Sequence, residues 1–261
     1  MKYTLILLIT ALIFSSCKRE EVQRNILPDI HYDFTEMNNF FKTYVSDGKV
    51  KYSEIINDKA LDKIRNDLKN FEPYAIDDDK ERLAFWINVY NIYTIDLITR
   101  YYPVNSILDI EEKSGNNPWE MEFIEMAGGR KFSLDEIEKK IIILEYNEPR
   151  IHYVMVCAAE SCPVLTAEAY TPEKLDNQFD TQARIFINDR NKNYLNKKDN
   201  ELNVSMIYKW YGSDFIKKDS SAVIHIKKYI NDDDKEFINL NDTQQLEYLD
   251  YSWKLNDINS K

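Results

Sequence analysis

The amino-acid sequence predicts an α+β fold in a single domain, in which a central apolar helix packs with a small mixed or antiparallel sheet and with surrounding helices. Helical and strand-like segments are interspersed along the chain, but hairpin signals outnumber the strand–helix–strand units of an α/β protein. The 261 residues suffice for one large domain, and neither an internal repeat nor a linker divides the middle of the chain. We therefore predict one domain over residues 30–261.

The N-terminal residues have the pattern of a targeting segment rather than of a folded element. Residues 5–14 form an apolar run of about ten residues, whereas a membrane-spanning helix needs ~20. The run leads through Ser15 and Ser16 into Cys17. This pattern resembles the bacterial lipoprotein signal, in which the cysteine is diacylated and becomes the new N-terminus. An ordinary secretory signal followed by a chance cysteine is the alternative.

The lipoprotein resemblance implies a location for the protein. Residues 1–16 would be the signal peptide, Cys17 the lipid anchor and residues 17–29 a charged tether. We therefore expect a bacterial cell-envelope protein, periplasmic or surface-facing, which is attached to the membrane through its N-terminal acyl chains.

The net charge of −11 disfavours nucleic acid as a partner, because nucleic acid requires basic patches on the protein surface. A small-molecule or peptide ligand remains open. The sequence indicates no cofactor, and it does not predict an oligomeric state.

The first elements of the domain are short. The segment HYDFTEMNNFFKTYV, which begins at His31, has the pattern of a helix. The segment SDGKVKYSEI, which begins at Ser46, is typical of a turn that leads into a short strand. Apolar residues at 61, 64, 68 and 71 recur at helical spacing, and they predict a further helix over residues 61–71.

The segment ERLAFWINVYNIYTIDLITRYYP contains the strongest helix signal, and Pro103 ends it. No charge occurs from Leu83 to Ile95, so this helix should be buried nearly all round. Asn88 and Asn91 are three residues apart and therefore lie on one face of the helix. Buried amides need partners, so these two either fix a loop backbone or line a cavity together with Trp86 and Tyr90.

The later elements follow from turn and capping signals. WEMEFIEMAGGRKFSL predicts a hairpin that turns at Gly128 and Gly129, and Ser133 with Glu136 predicts a capping box for the next helix. Thr171 and Pro172 are expected to start another helix, which ends near residue 188. ELNVSMIYKWY, which begins at residue 201, is a strand candidate.

Six segments, taken in chain order, resemble the motifs of the domain-of-unknown-function family 547. They are AFWINVYNIYTI, SLDEIEKKI, PRIHYVMVCAAESCPVL, AYTPEKLDNQF, IYKWYGSDF and YLDYSWKLND. The resemblance covers roughly residues 45–255. It implies family membership without an activity, and it implies an occurrence among bacterial envelope proteins. One departure is that Lys139 follows Ile137 and Glu138 where the family usually has a histidine.

The segment RIHYVMVCAAESCP places His152, Cys157, Ser161 and Cys162 within fourteen residues. Residues 150–158 are expected to form a strand, which would put Cys157 in the core as an inert thiol. Cys162 precedes Pro163 at an expected turn or helix start, where backbone N–H groups can lower the pKa of a thiol.

In a regular strand, the five residues between His152 and Cys157 would span about 16 Å. Those two side chains could not touch, and Cys162 would reach His152 only if the chain ran straight back. A base from elsewhere, such as His225, is the alternative.

Four states of the cysteine pair stay open at this point. A Cys–His–Asn enzyme would use Cys162 as the nucleophile, His152 as the base and Asn88 as the orienting residue, although papain-like and transglutaminase-like enzymes place the cysteine before the histidine. In an exported protein, a Cys157–Cys162 disulfide is equally expected. Zinc would need a more regular four-ligand spacing than this chain offers, and the fourth state is a pair of inert thiols.

The sequence thus supports two hypotheses for a lipid-anchored envelope protein of unassigned activity. The first is an enzyme that uses Cys162 for acyl transfer or hydrolysis on an amide or ester. The second is a non-catalytic binding or scaffold module, in which Trp86, Tyr90, Asn91 and Ser161 line the pocket and Cys157 is bonded to Cys162. We expect no metal in either case.

Overall fold

A computed structural model describes residues 30–238 and 245–260. The predicted signal peptide, the Cys17 anchor and the tether over 17–29 therefore lie outside the described residues. Within the described part, no helix is long and apolar enough to cross a membrane.

The described residues contain helices and short strands in an α+β arrangement, as the sequence predicted. The α-helices, α1 to α11 in chain order, are Thr35–Tyr44, Tyr52–Ile55, Ala60–Lys69, Asp79–Tyr101, Asp109–Ser114, Ile143–Tyr146, Leu175–Ile187, Ile207–Trp210, Gly212–Asp219, Ala222–Tyr229 and Asp232–Lys235. The strands, β1 to β7, are Val45–Ser46, Lys49–Val50, Ile124–Met126, Arg130–Phe132, Tyr194–Asn196, Glu201–Val204 and Gln245–Tyr248.

The strands form three small sheets instead of one. Strands β1 and β2 pair antiparallel, and so do β3 and β4. In the third sheet β6 pairs antiparallel with β5 and parallel with β7. The predicted turn after residue 46 lies between β1 and β2, and the predicted hairpin turn lies between β3 and β4, where Gly128 and Gly129 have φ angles of +70° and +110°. Glycine adopts this left-handed region without the steric cost of a Cβ atom.

Helix α4 is the centre of the molecule. Seventeen of its 23 residues are buried, which confirms the prediction from its uncharged stretch. The Asp78 carboxylate caps the helix by accepting the Glu81 N–H, and such a cap satisfies an N–H that no helical carbonyl can reach. The larger hydrophobic core surrounds α4, and a smaller core forms around Tyr153, Tyr208 and Phe215.

The two buried asparagines of α4 fix neighbouring backbone by paired hydrogen bonds. The Asn88 amide donates to the Tyr170 carbonyl at 2.8 Å and accepts the Tyr170 N–H at 2.9 Å. The Asn91 amide donates to the Val154 carbonyl at 2.8 Å and accepts the Val156 N–H at 2.9 Å. Asn91, rather than Asn88, thus contacts the segment before Cys157, and both amides fix loop backbone, which was one of the two expected roles.

Residues 150–158 are not a strand, which corrects the expectation from their alternating pattern. Pro149–Tyr153 form a 3₁₀-helix, and the chain then continues without regular structure to Cys157. Pro149 presets a helical φ at the first position. The Glu148 carboxylate caps this turn by accepting the Arg150 N–H at 3.0 Å.

Two further boundaries differ from the sequence predictions. Helix α7 begins at Leu175 rather than at Thr171, because residues 172–174 form a separate turn, which the Lys174 N–H closes by donating to the Thr171 carbonyl at 3.1 Å. The segment from residue 201 is a strand only to Val204, after which α8 begins at Ile207.

The predicted capping box of Ser133 and Glu136 forms only in half, at the start of the helix that follows β4. The Ser133 hydroxyl accepts the Glu136 N–H at 3.1 Å, whereas the Glu136 carboxylate pairs with Arg130 at 2.7 Å. Residues Glu136–Ile142 then form a π-helix that continues into α6. A π-helical turn is wider than an α-helical one and occurs frequently at functional sites.

Replacing Asn91 with Leu tests the role of its amide. The Val154 carbonyl and the Val156 N–H would both be left buried without a partner, and each such group costs about 1–3 kcal/mol. We therefore expect Asn91→Leu to lower the free energy of unfolding by that amount or more in urea titrations. The control is Asn66→Leu, which changes an exposed residue of α3 and should stay within about 0.5 kcal/mol of the native protein. Equal stabilities of the two variants would contradict the assignment.

Candidate active site

One cavity of about 240 Å³ brings together side chains from distant parts of the chain. Its walls are formed by Tyr90, Trp119, Asp135, Glu138, Lys139, His152, Met155, Cys157, Cys162, Pro163, Ile207, Trp210, Tyr211, Tyr251 and Trp253. The cavity therefore contains a cysteine pair, a histidine, a buried carboxylate and several aromatic rings. Such a convergence of polar groups in an otherwise apolar cavity is the usual form of a ligand or active site.

The cysteines lie at the two ends of a tight loop. The sulfur atoms of Cys157 and Cys162 are bonded to each other, and the two Cα atoms are 6.4 Å apart. Ala158 adopts a left-handed φ of +65°, and the Cys162 N–H donates to the Ala159 carbonyl at 3.1 Å. The loop thereby folds back, so that the Cys157 N–H points at the Cys162 sulfur at 3.1 Å.

Tyr251 supplies a second hydrogen-bond donor to the same sulfur. Its hydroxyl lies 3.1 Å from Cys162 Sγ and 3.4 Å from Cys157 Sγ. Burial, with a smaller contribution from Glu138, raises the pKa of Tyr251 well above its ordinary value, so the phenol keeps its proton at neutral pH. Cys162 Sγ therefore accepts from one N–H and one O–H, and both would stabilise negative charge on this sulfur.

The C-terminal segment holds the cysteine loop in place. The Glu160 N–H donates to the Lys254 carbonyl at 2.8 Å, and the Asn256 N–H donates to the Ala158 carbonyl at 2.9 Å. The Ser161 hydroxyl accepts the Ser252 N–H at 2.8 Å. These three contacts, made by residues that closely follow Tyr251 in sequence, explain how a residue about ninety positions away comes to lie against the sulfurs.

His152 forms a buried pair with Asp214. Its Nε2 lies 2.8 Å from Asp214 Oδ2, and its side chain is 1% exposed. The hydrogen bond from His152 lowers the pKa of Asp214, so this carboxylate is ionised at neutral pH. The Tyr211 ring stacks on the imidazole with 4.0 Å between ring centroids. Nδ1 has no hydrogen-bond partner among the described residues and is the nitrogen left for chemistry.

Glu138 is a buried carboxylate held by two phenols. The Tyr90 hydroxyl donates to Oε2 at 2.9 Å, and the Tyr211 hydroxyl donates to Oε1 at 2.6 Å. Glu138 is 6% exposed and lies in the π-helix. Burial raises the pKa of both tyrosines, and the Glu138 charge adds to the effect. Both phenols therefore remain donors over the physiological pH range.

The structure brings four of the predicted site residues to the cavity, namely Cys157, Cys162, His152 and Tyr90. The distance limit that separated Cys162 from His152 depended on a regular strand. Because a 3₁₀-helix rises only about 2.0 Å per residue and the loop after Cys157 doubles back, both side chains line the same cavity.

Four predicted site residues do not line the cavity. The NH₂ group and the oxygen of the Asn88 amide are both hydrogen-bonded to the Tyr170 backbone, so Asn88 cannot orient His152. Asp214 is hydrogen-bonded to His152 instead. The Asn91 amide is likewise hydrogen-bonded to the backbone of Val154 and Val156. Trp86 is fully buried in the core, and the Ser161 hydroxyl is hydrogen-bonded to Ser252 of the C-terminal segment.

The exposure of the two cysteines is the reverse of the expectation. Cys162 is 2% exposed, whereas Cys157 is partly exposed. The expectation failed because it assumed a strand that would direct Cys157 into the core.

The alternative base His225 is not at the site. It belongs to the smaller core, and its Nδ1 is paired with the Asp219 carboxylate at 2.5 Å. Burial lowers the pKa of His225 below its ordinary value, so it is neutral at physiological pH.

Four side chains of the candidate site were missed by the sequence reasoning, namely Glu138, Tyr211, Asp214 and Tyr251. Each lies in a segment that carried the family resemblance. That resemblance was the available signal, because nothing in the local spacing connects these residues with the cysteines.

No group of three or more histidine, cysteine, aspartate or glutamate side chains that could hold a metal ion occurs in the described ranges 30–238 and 245–260.

Comparison with known proteins yields one match. Residues 75–187 match the model of a family described as "Protein of unknown function, DUF547". This range contains helix α4, the π-helix with Glu138, the 3₁₀-helix with His152, and both cysteines. No curated protein and no solved structure matches the chain.

Proposed function

We propose that this protein, whose residues 75–187 carry a domain of the family of unknown function DUF547, is a thiol-dependent enzyme that acts on an amide or ester. The observation that carries the proposal is the convergence of Cys162, the His152–Asp214 pair and Glu138 on one cavity. A nucleophile, a base and a group that orients the base are the three parts required for covalent acyl transfer.

The first step in this proposal is the release of the Cys162 thiol. A dithiol reductant supplies two electrons and two protons, the Cys157–Cys162 bond breaks, and the reductant leaves as a disulfide. The Cys157 N–H and the Tyr251 hydroxyl remain directed at Cys162 Sγ. Both favour the thiolate, which is the nucleophilic form of cysteine.

Acyl transfer then follows in two halves. Cys162 gives its proton to Nδ1 of His152, directly or through one water molecule. The sulfur attacks the acyl carbon, the C–N or C–O bond breaks, and the leaving group takes the proton from His152. In the second half, water or another acceptor gives its proton to His152 and attacks the thioester. The carboxylic acid or new acyl product leaves, and the proton returns to Cys162.

Asp214 serves this cycle by holding His152. Its carboxylate accepts from Nε2, which fixes the tautomer and leaves Nδ1 as the nitrogen that can accept a proton. It also stabilises the imidazolium that forms in each half of the cycle.

A second candidate function is a non-catalytic binding module. The bonded sulfurs of Cys157 and Cys162 favour it, because a disulfide that is never reduced leaves no nucleophile. The same cavity would then act as a ligand site, and the disulfide would hold in place the part of its wall that Cys157 and Cys162 form.

We also propose that the chain is an exported, lipid-anchored protein of the bacterial cell envelope, with Cys17 as the acylated residue. Support comes from the apolar run that ends in Ser15, Ser16 and Cys17. In a compartment of this kind a disulfide persists without a reductant.

The anchor is tested by expressing the full chain and Cys17→Ala in bacteria fed with a labelled fatty acid. We expect label on the native chain and partition into detergent, and neither for the variant. Ser16→Ala is a matched control, because small residues before the cysteine should be interchangeable. Equal labelling of native chain and Cys17→Ala would exclude the anchor.

The enzyme proposal is tested with p-nitrophenyl acetate and peptide mapping by mass spectrometry. After treatment with dithiothreitol, we expect one acetyl group on Cys162, followed by its hydrolysis. His152→Gln should slow this hydrolysis by about 10² or more, because it removes the general base. Cys157→Ala cannot form the disulfide, so it should be acetylated at Cys162 without any reductant.

Cys162→Ala and Cys157→Ala form the matched pair for this test, since each retains one thiol of the same loop. Equal acetylation of Cys157 and Cys162 in the reduced native protein, with no effect of His152→Gln, would show two ordinary thiols. The binding-module function would then replace the enzyme.

A further inference from the structure

The Glu138 carboxylate is buried and forms no ion pair with a side chain in the described part of the chain. No Lys, Arg or His nitrogen lies within 4 Å of its carboxylate in the part of the chain that the structure describes, and its partners there are the hydroxyls of Tyr90 and Tyr211. A buried carboxylate is costly unless it is compensated. Two phenols satisfy part of its hydrogen bonding but leave its negative charge in place.

Of the other charged groups of the cavity, Lys139 is coupled to Glu138 only weakly, because the hydrogen bond to Asp135 raises the pKa of Lys139 more than the Glu138 charge does. The Lys139 ammonium lines the cavity but is paired with Asp135 at 2.7 Å, and its side chain is 58% exposed. His152 is hydrogen-bonded to the Asp214 carboxylate through Nε2. With these two pairs set aside, the unpaired Glu138 leaves the cavity with net negative charge.

The cavity also has a wall of aromatic rings. The Tyr251 ring lies 4.8 Å from the Trp210 ring and 4.8 Å from the Trp253 ring, and Trp119 lies 5.7 Å from Trp253. Trp210 is 45% exposed, so this wall reaches the mouth of the cavity. The faces of tryptophan and tyrosine rings attract cations, and several rings around one space form the usual cage for an ammonium group.

We infer that the cavity takes a ligand with an alkylammonium group, which lies against the Trp210–Tyr251–Trp253 wall and supplies the counter-charge of Glu138. The inference rests on the proposed function for its chemistry, because it names the substrates as amides or esters whose acyl or leaving part is cationic. The ammonium site itself follows from the charge and the shape of the cavity, so it also applies if the protein is a non-catalytic binding module.

The inference is tested by calorimetric titration of the oxidised protein with choline and with neohexanol, the neutral carbon isostere of choline. We expect choline to bind with a dissociation constant at least about tenfold lower than that of neohexanol. Glu138→Gln should remove this preference. Glu145→Gln, which changes an exposed carboxylate of α6, should retain it.

A second variant covers the case in which Glu138→Gln does not fold. Trp210→Ala changes a residue at the exposed mouth, and it should weaken choline binding by at least about threefold while binding of neohexanol changes less. Equal affinities of the native protein for choline and neohexanol, or an unchanged affinity for choline in Trp210→Ala, would overturn the inference.

The two proposals fail separately. If choline is preferred but reduced protein forms no acetyl-Cys162, the cavity is a cation-binding site and the enzyme proposal is wrong. If acetyl-Cys162 forms but choline is not preferred, the enzyme proposal stands and its substrates lack the ammonium group.

Discussion

The hydrogen bonds between the Asn91 amide and the backbone of Val154 and Val156 are the constraint on which the candidate site depends. They take the place of the backbone hydrogen bonds that a strand would have made in a sheet, and they fix the chain one residue before Cys157. Asn88, on the same face of α4, fixes the backbone of Tyr170 in the same manner. A helix buried on all sides is rigid, and a site built on such an element is held more tightly than one built on loops. Helix α4 thus fixes the chain on both sides of the cysteine loop through these two amides, and the C-terminal segment holds the loop itself.

Helix α4 also connects this backbone frame with the electrostatics of the cavity. Tyr90 lies between the two asparagines in sequence and donates to Glu138, and Tyr211 links Glu138 to the ring of His152. Burial keeps these phenols protonated, so they act as fixed donors. Hydrogen-bond donors are thus directed at two places, at the Glu138 carboxylate from two phenols and at Cys162 Sγ from the Tyr251 hydroxyl and a backbone N–H. In the proposed function, an acyl compound with an ammonium group would use both places, with its acyl carbon at Cys162 and its ammonium group near Glu138.

Much of the fold could be predicted because its signals are local. The absence of charge from Leu83 to Ile95 marked the central helix, and Gly128 with Gly129 marked the hairpin turn. The strand predicted over 150–158 was wrong because an alternating apolar pattern also occurs where a short helix and an extended segment are both buried. There Pro149 and the Glu148 cap determine the local backbone. The partners of the cysteines could not be predicted by spacing, since Asp214 and Tyr251 lie far from them in sequence and reach the cavity only through tertiary packing.

The central claim is that Cys162 is an activated thiol, and the most direct measurement is the pH dependence of its alkylation. Reduced protein would be treated with iodoacetamide across a pH series and mapped at both cysteines. Burial alone would raise the pKa of Cys162, whereas the Cys157 N–H and the Tyr251 hydroxyl lower it. The account predicts that these donors prevail, so that the rate at Cys162 reaches half its maximum below the ~8.5 of a free thiol, and that Tyr251→Phe moves this midpoint upward. A midpoint at or above that value, unchanged in Tyr251→Phe, would contradict it.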